Sequence, residues 1–213
     1  MQIQILPGAL ALFIAVGGLA AGAQPQSAAL NTFEEGSVSR EEGLASWQVF
    51  YEVASHPRCA NCHVGDDNLP MWSGASFGAP RRHGMNIDAG VSRIGAETLP
   101  CSTCHIAVKT FDPAINATPH MPPKTALAWQ LAPVEMEWFG KSSAEICAQV
   151  QEPARTGGRD VRAVAEHLAE DVAHGGFIQW AWAPGGGREP APHSLQEAMD
   201  ALMKWQAAGT PCP

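Results

Sequence analysis

Cys59-Ala60-Asn61-Cys62-His63 and Cys101-Ser102-Thr103-Cys104-His105 repeat one C-x-x-C-H spacing within a single chain. Each residue type in that pattern has a chemical use. Two thiols at this spacing can add across the two vinyl groups of one porphyrin, and the histidine beside the second thiol can bring an imidazole onto the iron. The pattern reads as an attachment site for c-type haem, so two copies predict two covalently bound haem c groups. Cysteine pairs at this spacing also build four-thiolate zinc sites and thioredoxin-like dithiols. Neither chemistry requires a histidine directly after the second cysteine in both copies.

With His63 and His105 as proximal ligands, the group across each iron decides between an electron carrier and an enzyme. Six other histidines compete for that place, namely His56, His83, His120, His167, His174 and His193, and so do Met71, Met85 and Met121. His83 lies midway between the motifs, in a segment long enough to cross the distal side of the first haem. His56 sits three residues before Cys59, too close to fold back onto its own haem and well placed for a neighbouring one. The expectation is therefore His83 on the first iron and His56 on the second. His120 and Met121 are the rivals at the second iron, and Met71 and Met85 lesser ones at the first. His167 and His174 share a helix face rotated away from the apolar stripe beside them, which suggests solvent or a partner. His193 precedes a helix cap and carries no specific signal. Arg81, Arg82 and Arg93 are cations suited to haem propionates, with solvated surface positions as the alternative.

Four of the six cysteines fall in the motifs, leaving Cys147 and Cys212 as an even pair. In an oxidising compartment they are expected to form a structural disulfide that ties the last residues onto a helix. A formal charge of −8 argues against a nucleic-acid partner. Propionates would make the surface more acidic still, so a redox partner is expected to present a basic patch.

The elements that must position these groups read as follows. From Glu41 to about Ser55, Leu44, Trp47, Phe50, Tyr51 and Ala54 recur at helical spacing, and Pro57 then stops the pattern. Between the motifs, from Val64 to Pro100, glycine and proline recur without a long period, which predicts loop. Phe111 to Pro123 is a second proline-rich loop, and the two are expected to wrap the haems. Beyond Lys124 helices are clearer. Ser142 and Glu145 form a capping box ahead of Ile146, Cys147 and Val150, and Val161, Val164, Ala165, Leu168 and Val172 share a face. Ser194 and Glu197 open a last helix that buries Leu195, Met199 and Leu202 and stops near Gly209. The tryptophan-rich link from Phe177 to Pro192 reads as a packed loop over the core, with partner docking through Trp180 and Trp182 as the alternative. The fold expected is mainly α with long loops around the haems and a helical C-terminal part.

Ile5 to Ala21 is apolar and leads to Ala21-Gly22-Ala23, an A-x-A cleavage pattern before Gln24. Residues 1–23 thus read as a signal peptide for export to the periplasm, 24–123 as the dihaem region, and 124–213 as a helical region packing on it. No Lys or Arg precedes Arg40, so the positive n-region reduces to the terminal amine and an uncleaved membrane anchor is the alternative. The apolar run is shorter than the ~20 residues that span a bilayer comfortably.

An upstream histidine, C-x-x-C-H, a loop histidine, and a second C-x-x-C-H about forty residues on resemble the small dihaem subunit of periplasmic nitrate reductases over Ser55 to Pro113. That resemblance is one of spacing, and it implies two bis-histidine haems. Ser55-His56-Pro57-Arg58-Cys59, Leu131-Ala132-Pro133, and Trp180-Ala181-Trp182-Ala183-Pro184 with Arg188 resemble a group of exported bacterial dihaem cytochromes. Some of that group bear the name isoquinoline 1-oxidoreductase subunit, which implies a molybdenum hydroxylase or another periplasmic dehydrogenase as the electron donor. The function expected is single-electron transfer from such a donor to an acceptor. The competing class is a haem enzyme, peroxidase-like or oxidising sulfur compounds, with one open distal site.

Overall fold

The computed structural model describes residues 28–75, 77–109, 112–125, 129–173 and 176–213. The export segment expected at 1–23 lies outside the described residues, as do Phe111, His174 and the side chain of Val172. Among the described residues there are five α-helices, one small antiparallel sheet and long connecting loops. No helix among them is long and apolar enough to cross a membrane.

α1, Arg40–Ala54, starts at a reciprocal cap: the Glu42 amide donates to the Ser39 hydroxyl at 3.2 Å, and the Ser39 amide donates to the Glu42 carboxylate at 3.0 Å. Trp47, Phe50 and Val53 recur on its buried face. α3, Ser143–Gln151, and α5, Leu195–Ala207, begin at the capping boxes of Ser142 with Glu145 and Ser194 with Glu197. α5 ends where Gly209 takes φ +77°, the left-handed conformation that glycine adopts without penalty. α4 runs Val161–Ala173.

One core joins both halves of the sequence. Trp47 and Phe50 of α1 cluster with Ile146 and Val150 of α3, Val164 and Ala165 of α4, and Leu202 and Trp205 of α5. The Trp47 and Trp205 rings meet at 4.7 Å between centroids. α1 and α5 come close because Gly43 has no side chain; a Cβ there would sit 2.4 Å from the Ala208 Cβ. The expected disulfide is present, with Cys147 and Cys212 bonded across a separation of 65 residues and Cα atoms 5.8 Å apart. The tryptophan-rich link is buried, with Trp180 and Trp182 only 7% and 6% exposed, as its packed-loop reading requires.

This core holds the first motif. α1 turns at Ser55 and His56 into α2, Pro57–Ala60, a single helical turn that carries Cys59. The segment from Val64 to Pro100, expected to be loop, contains a β-hairpin: β1, Met71–Gly74, and β2, Gly78–Arg82, pair antiparallel with Met71 opposite Arg82 and Trp72 opposite Arg81. Neither strand carries a readable alternation, since β2 is exposed throughout and includes Pro80. The second motif sits in a short 3-10 turn, Cys101–Thr103.

Candidate functional site

The two motif histidines are held in the same way. His63 places Nδ1 2.9 Å from the Met136 carbonyl, and its ring stacks on Trp138 with centroids 3.6 Å apart and planes within 3°. His105 places Nδ1 3.0 Å from the Pro123 carbonyl and stacks on Trp129 at 4.4 Å and 9°. A carbonyl can only accept, so each Nδ1 carries the proton and each Nε2 keeps a lone pair for a metal. This is the outer-sphere arrangement that orients a ligating imidazole. Burial pushes both rings down to about 4, so both are neutral at ordinary pH.

The motif thiols carry no disulfide. Burial, with the neighbouring Cys62 adding to it, pushes the Cys59 thiol up to about 12, and burial pushes Cys62 up to about 11. Thiols held neutral in this way are poor redox nucleophiles, which weighs against a dithiol reading at the first motif. Among the described residues no group of three or more His, Cys, Asp or Glu side chains converges as a metal-ion site. The four-thiolate zinc alternative therefore lacks its ligand set, whereas a haem iron takes only two ligands from the protein.

A cavity of about 290 Å³ lies between the motifs. Cys62 of the first motif and Cys101, Cys104 and His105 of the second open onto it, and Trp72, Leu131, Trp129 and Trp180 give it apolar walls. The side chain buried deepest among its cations is Arg58. Its guanidinium lies over the Trp180 ring at 5.3 Å and 3.6 Å from the Glu189 carboxylate, yet Nε and Nη2 make no hydrogen bond. Buried N–H groups without an acceptor are costly, so this wall of the cavity fits a group that brings a carboxylate. Arg81 and Arg188 also line it. A flat apolar macrocycle with carboxylate arms matches these walls, with the Cys101 and Cys104 thiols and His105 placed for its vinyl groups and iron, while Cys59 and His63 are not part of the lining.

The other expected ligands are distributed unevenly. His83 keeps Nδ1 2.9 Å from the Gly84 carbonyl, packs against Trp72, and stands 6.0 Å between centroids from His105. Its ring contact is thus with the second motif's histidine, whereas the sequence reading assigns it to the first iron. His56 does not line the cavity. It is the N-cap of α2, where its Nδ1 accepts the Arg58 amide at 3.2 Å. A neutral ring that accepts through Nδ1 carries its proton on Nε2, so in this position the ring has no lone pair left for an iron. His120 and Met121 line the cavity from an exposed loop, and Met121 offers its carbonyl to Arg188. Met85 is 81% exposed at its rim, while Met71 packs against the Val64, Ala89 and Leu131 cluster. His167 is exposed on α4, and His193 pairs with Glu52 at 2.7 Å.

Among the arginines expected to meet propionates, Arg81 lines the cavity and lies over Trp72 at 5.4 Å, and Arg82 is exposed on β2. Arg93 is committed elsewhere. Its guanidinium bonds the carbonyls of Val64, Gly65 and Ala132 and the Asn68 side chain at 2.5–2.9 Å, which consumes all of its donors. It braces the loop after the first motif against the segment before Pro133. Sequence reasoning missed Arg58, Trp129 and Trp138. Arg58 could have been suspected as the cation inside the His56-to-Cys59 turn, but the tryptophans lie far downstream of the histidines they stack on and no spacing announces them. No family model, curated protein or solved structure matches the chain.

Proposed function

We propose that the chain is a dihaem c-type cytochrome that passes single electrons in the periplasm between a dehydrogenase and an acceptor. The observation that carries this reading is the matched setting of His63 and His105: each donates from Nδ1 to a backbone carbonyl, lies flat on a tryptophan and keeps Nε2 free. Two C-x-x-C-H motifs and an apolar cavity shared between them add to it. The haems would supply one-electron exchange at iron.

The chain's own part is holding and insulating. Cys59, Cys62, Cys101 and Cys104 anchor by thioether bonds, and His63 and His105 ligate. Trp129 and Trp138 fix the ring planes. Arg58, paired with Glu189 at 3.6 Å but with Nε and Nη2 making no hydrogen bond, would donate to a propionate. Trp72, Leu131 and Trp180 exclude water, which tunes potential through burial. A charge of −8 steers a partner with a basic docking face. The donor in this reading is a molybdenum hydroxylase or another periplasmic dehydrogenase, as the name borne by some of the dihaem cytochromes the sequence resembles implies.

The test is the protein purified from an exporting host with its haem-maturation system. The mass is expected to exceed that of the processed chain by two haems, the spectra to be low-spin in both oxidation states, and carbon monoxide to leave the reduced spectrum unchanged. A chain without covalent haem would overturn the proposal. Two haems with a high-spin fraction that binds carbon monoxide would replace electron transfer with the haem-enzyme reading.

A further inference from the structure

We infer that Glu189 takes up a proton when a haem in the cavity is reduced, so that the chain moves a proton together with the electron. The inference rests on the dihaem reading and goes beyond it by giving a function to the carboxylate behind Arg58. Its basis is a charge count in the cavity wall. Glu189 Oε1 and Arg58 Nη2 are both buried and stand 3.6 Å apart, and Arg58 lines the cavity while Glu189 does not. A propionate on the cavity side would leave this one guanidinium two carboxylates to balance. Like charges that share a buried cation resist being ionised together, and an electron added beside them raises their affinity for a proton further.

The fold fixes the carboxylate at this place. Gly74 ends β1 against it, and a Cβ there would collide with the Glu189 carboxylate. Of the elements packed round the pair, α2 brings Arg58 and His56, the tryptophan-rich link brings Arg188, and β1 brings no charge. Arg188 is a cation that donates to the carbonyls of Pro184, Gly185 and Met121. His56 is kept neutral, since burial and then Arg58 push its ring below the ordinary value against the pull of Glu189. A proton on its Nδ1 would also break the cap of α2, because that atom accepts the Arg58 amide. The Glu189 carboxylate is therefore the group beside Arg58 that can gain a proton without losing a contact of the motif helix. Its side chain is 25% exposed, which gives the proton a path from water. When the donor's electron arrives, the carboxylate takes one proton from water and becomes a carboxylic acid. When the electron leaves for the acceptor, that proton returns to water.

The experiment is a spectroelectrochemical titration of the dihaem protein at a series of pH values. The potential of one haem should fall as pH rises, by up to about 59 mV per unit, the one-electron equivalent of a tenfold change in proton concentration. Glu189→Gln should attach both haems and remove that dependence. His56→Asn, which keeps a capping side chain, should retain it. A potential that is flat in the unmutated protein, a slope that survives Glu189→Gln, or a slope lost in His56→Asn overturns the inference. If Glu189→Gln does not accumulate with both haems, the reduced-minus-oxidised infrared spectrum of the unmutated protein decides. It should gain the carbonyl stretch of a protonated carboxylic acid, and labelling the propionate carboxyls with heavy carbon through aminolevulinate should leave that band in place. A band that moves with the label belongs to a propionate and overturns the inference, as does the absence of a band. Two attached haems with flat potentials remove the proton inference alone, whereas a chain without covalent haem removes the dihaem reading itself.

Discussion

The imidazole of His63 lies flat on the indole of Trp138, with centroids 3.6 Å apart and planes within 3°. Trp138 is buried in the core against Phe50 in an edge-on contact at 6.2 Å, so the ring that orients His63 is itself held by α1. Trp138→Ala removes both contacts and should cost about 3–5 kcal/mol. Trp138→Phe should cost less, because the indole Nε1 is buried without a hydrogen-bond partner and its loss breaks no bond. Urea denaturation followed by circular dichroism checks the ordering. Equal losses for Phe and Ala would show that the indole's polar edge matters after all.

Arg93 ties together backbone that no regular element connects. Its contacts with Val64, Gly65, Asn68 and Ala132 account for every guanidinium donor. A lysine at 93 has too few donors and the wrong geometry for this fork, so Arg93→Lys should destabilise by about 3 kcal/mol, since buried carbonyls are left without donors. A solvated surface arginine would tolerate the change within about 0.5 kcal/mol. Thermal unfolding of the two proteins separates these outcomes.

What the sequence disclosed was either local or arithmetical. Ser142 with Glu145 and Ser194 with Glu197 announce helix starts because a cap is made within four residues. Cys147 and Cys212 pair because the motifs account for the other cysteines and a remainder of two has one partner choice. His56 and His83 show where such reasoning stops. Their distances along the chain suggest one assignment, whereas in the structure His56 caps the helix that Pro57 starts, and His83 follows a hairpin, with no readable alternation, that sets its ring near His105. Arg93 reads in the sequence as a propionate partner or a solvated cation, because its acceptors are carbonyls, which every residue has and no residue type reveals. Trp129 and Trp138 reach their histidines only through the tertiary path.

The half-buried thiols of the first motif give a pH prediction that needs no cofactor. In chain made without haem maturation, Cys59 and Cys62 are held neutral at about 12 and 11 by burial, while Cys104 is exposed. Thiolate is the reactive form, so at pH 8 a thiol raised this far should alkylate two to three orders of magnitude more slowly, roughly, than an ordinary one. Because both values lie above pH 8, the thiolate fraction and the rate at Cys59 and Cys62 should rise about tenfold per unit between pH 8 and 10. Iodoacetamide labelling read by peptide mass spectrometry gives the order. Fast labelling at Cys59 or Cys62 at pH 8 would revive a dithiol role for that motif.

The disulfide between Cys147 and Cys212 should act mainly on the unfolded chain. The C-terminal tail is also held without it: the Trp205 indole donates to the Pro211 carbonyl at 2.9 Å, and the Thr210 hydroxyl donates to the Gln151 side-chain carbonyl at 3.3 Å. Replacing both cysteines by alanine should therefore leave the native near-ultraviolet spectrum and Trp205 fluorescence in place. Closing a loop of 65 residues restricts the unfolded ensemble by about 4 kcal/mol in the chain-entropy account, and that is the loss expected in denaturation. A mild reductant should bring the unmutated protein to the same midpoint and leave the double variant unmoved, since thioether-bound cysteines do not exchange. A loss below about 1 kcal/mol would instead mean that the unfolded chain gains little freedom when the bond is absent, and that packing of the tail against α3 and α5 is sufficient by itself.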